Sequence, residues 1–229
     1  MWVTLHVWRV PRRRLGAALL RMATEPRRVS GLPGVRFAKL VGTGAGRTFD
    51  LRDADVTRYA AVVVWDGDGR PDDVDRAWTG IAARRARVDL TPVGSRGRWS
   101  GVAPFGTPEP HRTTGPVLAL TRARLRPSRM LTFWRAVPPV AGAVAEAPGL
   151  LARFGFGEAP IGWQGTVSLW RSATDLTAFA YRQPEHRAVI ARTPAERWYA
   201  EDLFARFAVH DVSGDRDVLG WREGGLADR

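Results

Sequence analysis

Few side chains in this 229-residue sequence can do acid–base or metal chemistry. The chain has four histidines, His6, His111, His186 and His210, and no cysteine. Without thiols, thiolate-ligated haem, zinc–thiolate sites, iron–sulfur clusters, disulfide frameworks and cysteine nucleophiles are excluded. Lys39 is the single lysine among 35 basic residues, which argues against Schiff-base and P-loop phosphoryl chemistry. His111 stands in PFGTPEPHRTTGP, a stretch that reads as a linker. His6 lies in a strand pattern, where an imidazole hydrogen-bonded to a neighbour is the ordinary role, and His210 lies near the end of the last predicted strand. His186 differs. It follows a break at Pro184, seven residues after Phe179 of a predicted helix, with Val189 and Ile190 just beyond. No second histidine stands three or four residues away, which argues against a His-rich metal site. A haem needs only one protein ligand and an apolar slot. Ten tryptophans and nine phenylalanines could line such a slot, although aromatic residues at helical spacing commonly serve as plain core.

Two other patterns carry less. Gly42, Gly44 and Gly46 follow a predicted strand, but the third glycine of a dinucleotide fingerprint would fall on Arg47, and no helix pattern follows. Gly155 and Gly157 occupy the matching place later in the chain, so both runs predict strand-to-strand turns with positive φ. Asp66, Asp68, Asp72 and Asp73 lack the spacing of a calcium loop and read as a solvated loop.

The elements that must position these residues come in two copies. Pro33-Gly34 and Pro148-Gly149 occupy equivalent places, as do Trp65 and Trp170. Each copy reads strand, helix, strand, strand, helix, strand. Val3, Leu5 and Val7 alternate with Thr4, His6 and Trp8, the period of a two-faced strand. Leu15, Ala18, Leu19 and Met22 form a helical stripe, and Met130, Phe133, Trp134 and Val137 repeat it. Ser172 with Asp175 is a capping-box start, and Thr193, Pro194 and Glu196 give another helix start. Closing strands are expected near residues 97–105 and 206–212. The order is that of the ferredoxin-like βαββαβ unit. The expected fold is α+β: a first repeat over residues 1–106, a Pro/Gly-rich linker over 107–116, and a second repeat over 117–229. The two antiparallel sheets would form one α/β barrel whose interior is the natural ligand cavity. Thr4, His6 and Trp8, the more polar set, are expected to face that interior.

The formal charge is +12 and the pI about 11.4, but the arginines are scattered and no nucleic-acid-binding motif is present. The reading is therefore no nucleic acid, with peripheral association at an anionic membrane surface kept for a greasy substrate. No signal-peptide order and no apolar run of about 20 residues appear, so a cytoplasmic protein is expected.

The runs RFAKLVGTGAGRTF, FWRAVPPVAGAVAEAPGLL and SLWRSATDLTAFAYRQPEHRAVI, followed by WYAEDLFARFAV, resemble the spheroidene monooxygenase family of carotenoid biosynthesis. The resemblance covers roughly residues 3–212. The stretch from Ser168 to His186 is also similar to the wider dimeric α/β barrel superfamily. That superfamily includes antibiotic-biosynthesis monooxygenases, haem-degrading monooxygenases, chlorite dismutases and aldoxime dehydratases. The resemblance implies an oxygenase that places a keto group on a carotenoid with dioxygen, with haem as cofactor and His186 at the position of the axial iron ligand. His6 and His210 remain alternatives. Arg135 is a candidate partner for a haem propionate, with Trp134 and Phe179 beside the cofactor. Trp65, Trp170 and His6 are expected to line the substrate pocket. Another haem enzyme resembling aldoxime dehydratase, a cofactor-free oxygenase, and a non-catalytic carrier of haem or an apolar ligand are the alternatives. A homo-oligomer is expected by analogy with the superfamily, and the sequence carries no signature of the electron donor.

Overall fold

The computed structural model describes residues 1–46, 53–109, 113–159, 162–182 and 196–222, with backbone alone at 137–141. The first copy consists of β1 (Trp2–Arg9), α1 (Leu15–Ser30), β2 (Val35–Gly44), β3 (Ala54–Trp65), α2 (Asp72–Thr79) and β4 (Arg84–Gly97). The second consists of β5 (Val117–Leu125), α3 (Met130–Ala145), β6 (Leu150–Gly157), β7 (Trp163–Trp170), α4 (Ala173–Arg182) and β8 (Tyr199–Gly214). The strands close in the order β1-β3-β2-β6-β7-β5-β8-β4, every pairing antiparallel. Two ferredoxin-like sheets thus join edge to edge, and the α+β barrel follows from the repeat.

The two seams are unequal. β4 and β8 pair from Ala86–Gly214 to Gly97–Leu203. β2 and β6 pair only at Gly42–Gly157, Thr43–Phe156 and Gly44–Gly155. The glycine runs are therefore strand segments facing one another rather than turns, and of the five only Gly46 has a left-handed φ, 69°. The reason is closeness: a Cβ on Gly44 would lie 2.6 Å from the carbonyl oxygen of Asp53.

The interior of the barrel is solid. Val3, Leu5, Val7, Leu118, Leu120 and Phe207 belong to one buried cluster that fills it. Trp99 and Phe105, from the segment after β4, and Val218 and Leu219, from the turn after β8, complete it. The void left among Leu5, Leu118, Phe154 and Leu219 is about 10 Å³, at the limit of what one water needs. The expected ligand cavity inside the barrel is thus replaced by core.

Several local expectations change with it. Thr4, His6 and Trp8 face α1 and α2 rather than the interior, because Val3, Leu5 and Val7 are the set that meets the opposite sheet. β4 lies earlier than residues 97–105: Ala86, Val88 and Leu90 alternate with Arg85, Arg87 and Asp89, a strand disguised by its arginines. On α1 the buried positions are Ala18, Glu25 and Val29, and Leu19 is 63% exposed, one position off the stripe. Asp72 and Asp73 open α2, where acidic residues favour the first turn. The Ser172 start holds: Asp175 N–H donates to Ser172 Oγ at 3.1 Å and the hydroxyl donates to Asp175 Oδ2 at 2.8 Å. The start at Thr193 and Pro194 lies outside the described residues.

Candidate functional site

Strand register gives the exact correspondence of the copies. Trp65 stands opposite Trp2 in β1, whereas Trp170 stands opposite Val117 in β5. Thr4, His6 and Trp8 therefore correspond to Ala119, Thr121 and Ala123. A shift of one residue exchanges the two faces of a strand, so this register decides every comparison that follows. By the same pairing Tyr59, opposite Trp8, corresponds to Gln164, opposite Ala123. Leu40, opposite Ala61, corresponds to Gly155, opposite Thr166.

In the first copy the helix-facing side of the sheet is full. Trp8 stacks on Trp78 of α2 with ring centroids 4.5 Å apart, and Tyr59 lies 5.3 Å from Trp78. Beneath them runs a satisfied polar chain. Trp65 Nε1 donates to Thr4 Oγ1 at 2.9 Å, and Thr4 Oγ1 lies 2.9 Å from His6 Nε2. Asp75 receives Trp8 Nε1–H at 2.6 Å and lies 3.1 Å from His6 Nδ1. One assignment satisfies every member: Thr4 donates its hydroxyl proton to Nε2, and His6 carries its own proton on Nδ1 toward Asp75. Burial pushes the Asp75 carboxyl up, but the hydrogen bonds from His6 and Trp8, with the charge of Arg85, hold it below the ordinary 3.8. Asp75 escaped the sequence reading, although DDVD with α2 above it carries the signal.

In the second copy the same side carries smaller side chains. Trp8, His6, Tyr59 and Leu40 are replaced by Ala123, Thr121, Gln164 and Gly155. Instead of one continuous cluster, two separate ones flank this floor. Val117, Leu150, Trp170 and Phe179 form one, and Leu125, Phe133 and Trp198 form the other, with Trp134 packed against it. Between them Thr121, Ala123 and Thr166 are half-buried, and the hydroxyls of Thr121 and Thr166 meet at 2.6 Å. Gln164 is 7% exposed, and its Oε1 has no hydrogen-bond partner among the described residues. The indole Nε1 of Trp134 is likewise buried without one. At strand spacings, the floor measures about 13 Å along β5 from Ala119 to Ala123 and about 14 Å across β6, β7, β5 and β8. α3 and α4 are the helices of this copy, and residues 183–195, with His186, follow α4.

The residues singled out in the sequence divide between the two sides. Phe179 and Trp134 stand at opposite ends of the floor, and Phe179 lies 5.3 Å from Trp170. Arg135 is exposed on α3. His6 and Trp65 belong to the filled side of the first copy, fully buried. They line no cavity, because α1 and α2 cover them. Trp170 lies under α4 rather than inside the barrel, for the same reason of strand register. His186 lies outside the described residues. Of the alternative iron ligands, His6 has both ring nitrogens engaged, and His210 is exposed with Nε2 2.7 Å from Thr91 Oγ1. Among the described residues no group of three or more histidine, aspartate or glutamate side chains forms a metal site. The floor residues Ala119, Ala123, Gln164 and Gly155 were missed, since small residues announce nothing until the copies are superposed by register.

Among the described residues the floor is broad, lined by side chains no larger than glutamine along β7 and β5, and flanked by aromatics, the residue types and breadth that a flat group of haem size calls for. It fits the body of an apolar substrate equally well.

No protein-family profile matches the chain. The chain is 32% identical over 205 residues to a spheroidene monooxygenase of Rhodobacter capsulatus, covering 85% of this chain and 83% of the relative. It is 33% identical over 191 residues to a spheroidene monooxygenase of Rubrivivax gelatinosus, covering 80% and 72%. Among solved structures, an aldoxime dehydratase matches with a TM-score of 0.60 at 13% identity, over 92% of this chain and 81% of that one. That likeness supports the fold.

Proposed function

The chain belongs to the spheroidene monooxygenase family and is an oxidoreductase of the monooxygenase type, and from that premise we propose that it oxygenates an apolar, carotenoid-like substrate on the floor of its second copy, with haem as cofactor. The observation that supports the place is the difference between the copies, where Ala123, Thr121, Gln164 and Gly155 stand in for Trp8, His6, Tyr59 and Leu40. Bound haem would supply the activation of dioxygen. His186 is the residue assigned to hold its iron, and Arg135 the residue assigned to a propionate. Trp134 and Phe179, at the two ends, would bound the ligand with apolar surface. The unpartnered Trp134 Nε1–H and Gln164 Oε1 offer one donor and one acceptor inside an otherwise apolar slot. Such isolated polar groups orient an apolar ligand, because a buried amide or indole left unmatched costs about 1–3 kcal/mol.

The test is an absorption spectrum of protein made in cells supplied with haem precursor, before and after dithionite and carbon monoxide. A Soret band that shifts with carbon monoxide is expected, and His186→Ala should abolish it. An unchanged band in that variant removes His186 as the ligand. Protein that stays colourless on titration with haemin removes the haem from the reading. Oxygen consumption by such protein with a polyene would then assign the same floor to a cofactor-free oxygenase.

A further inference from the structure

We propose that the outward face of α1 docks the protein on an anionic lipid bilayer. The proposal goes beyond the functional reading above and does not rest on it. α1 is built inside out. Its buried positions are Ala18, Glu25 and Val29, whereas Leu19 and Leu20 are 63% and 62% exposed. At about 100° per residue, Gly16, Leu19, Leu20, Ala23 and Arg27 share one side of the helix, opposite Ala18, Glu25 and Val29. All five are exposed. A Cβ at Gly16 would meet open space, and Ala23 is small, so the two leucines stand clear of their neighbours. Thr24 beside them donates its hydroxyl to the Leu20 carbonyl at 2.9 Å, so its polar group is already satisfied. The second copy shows the ordinary arrangement. The correspondence that sets Thr4 against Ala119 also aligns the starts of α1 and α3, and so sets Ala18 against Phe133 and Leu20 against Arg135. There the phenylalanine is buried and the arginine exposed.

The charges on this face have one sign. Arg12, Arg13 and Arg14 lead into the helix and Arg27 lies near its end, all four exposed. They bracket the leucines over about 20 Å, at 1.5 Å per residue. Glu25, the one acid between Pro11 and Gly31, is buried and held by Arg28. Acids on the elements beside α1 are also taken up: Asp73 by Arg76, Asp72 by Arg87, and Glu158 by Arg122 and Lys39.

This combination selects the partner. A helix lying in the plane of a bilayer sinks its apolar side chains to the acyl boundary, while arginines on long stems reach the phosphates around them. A nucleic acid would take the arginines and leave the leucines in water. A second copy of the chain would cover the leucines. In a twofold contact, however, this face brings arginine against arginine whether the helices run parallel or antiparallel, and such like-charge contacts are costly. An anionic bilayer satisfies both halves of the face.

The chain has no cysteine, so Ala23→Cys places a single thiol on the face for an environment-sensitive fluorophore. Asp211→Cys, exposed on β8 across the barrel from β2, is the control. The probes are vesicles of phosphatidylcholine alone and of phosphatidylcholine and phosphatidylserine in equal parts, with the full chain. With the anionic vesicles the label at position 23 should brighten and shift to the blue, and the label at 211 should not. Leu19→Ser combined with Leu20→Ser changes no charge and should weaken cosedimentation with these vesicles at least about tenfold, with the Tm unchanged. Replacing Arg12, Arg13 and Arg14 by glutamine should weaken it about a hundredfold at low salt, at roughly fivefold per arginine, and added salt should shrink that difference. Binding that the leucine pair does not alter is the diffuse attraction of a +12 chain and overturns the docking face. A change at position 23 on raising protein concentration without vesicles assigns the face to a second copy, and an equal change with RNA in place of vesicles assigns it to a polyanion. Either result overturns the proposal, as does a label at position 23 that anionic vesicles leave unchanged.

Discussion

Removing the carboxylate of Asp75 tests whether the filled side of the first copy is held by its polar chain. In Asp75→Ala both acceptor oxygens vanish, leaving Trp8 Nε1–H and His6 Nδ1–H without their shared partner. An orphaned buried donor costs about 1–3 kcal/mol, so two cost roughly 2–6 kcal/mol. The Asp75 side chain is 14% exposed, so water can reach part of the gap. The expected loss is therefore about 2–4 kcal/mol, or about 4–16 °C in Tm for a chain of this size. Asp75→Asn should cost less, about 1–2 kcal/mol, because its oxygen still accepts from Trp8 and the imidazole can exchange tautomers toward Thr4. The assay is urea unfolding followed by tryptophan fluorescence and by circular dichroism, with equal m values across variants. Because the folded Asp75 carboxyl sits below the ordinary 3.8, its contribution is present above that value and disappears as pH falls through the lower, folded one. The gap between wild type and Asp75→Ala should thus be flat near neutral pH and shrink in acid. Both variants within about 0.5 kcal/mol of wild type, the range of an ordinary surface substitution, would refute the reasoning.

Ala123→Trp gives the second copy the side chain the first has at Trp8, and should weaken haem or polyene binding more than about tenfold, some 1.4 kcal/mol, with the Tm nearly unchanged. A titration of haemin against both proteins checks it. Gly44→Ala sets a Cβ 2.6 Å from the Asp53 carbonyl oxygen in the seam and should destabilise by about 1–3 kcal/mol, read by thermal unfolding. Arg122 is buried with Glu158 and Glu201 as partners, and Glu201 keeps the backbone N–H groups of Ser100 and Gly101. Arg122→Met should therefore cost about 3 kcal/mol, the low end for breaking a buried pair. Burial raises the Glu201 carboxyl, but hydrogen bonds from Gly101, Arg122 and Ser100 hold it below the ordinary range. Losing the arginine raises it, so the penalty should fall as pH drops and the carboxylates protonate, as denaturant melts at several pH values would show.

The sequence alone determined the repeat, and with it the βαββαβ order, the antiparallel sheets and the barrel. Hydrophobic period, Pro-Gly corners and the Trp65–Trp170 match are local or one-dimensional signals that survive in the chain. Ser172 with Asp175 was legible for the same reason, a contact between residues three apart. The family resemblance was also carried by contiguous runs. What faces what was a property of the tertiary structure. Strand alternation gives two faces without saying which is inside, and Thr4, His6 and Trp8 read as the polar lumen set only until the opposite sheet proved to meet Val3, Leu5 and Val7. The candidate site was invisible for a related reason. Its floor is marked by side chains that are absent, at Ala119, Ala123 and Gly155, and an absence acquires meaning only against the filled positions Thr4, Trp8 and Leu40 of the other copy. That comparison needs the register of paired strands, which is set by hydrogen bonds between residues far apart in the chain. The closing of the barrel at a glycine seam follows the same logic, since only the folded chain brings Gly42 and Gly44 against Gly157 and Gly155.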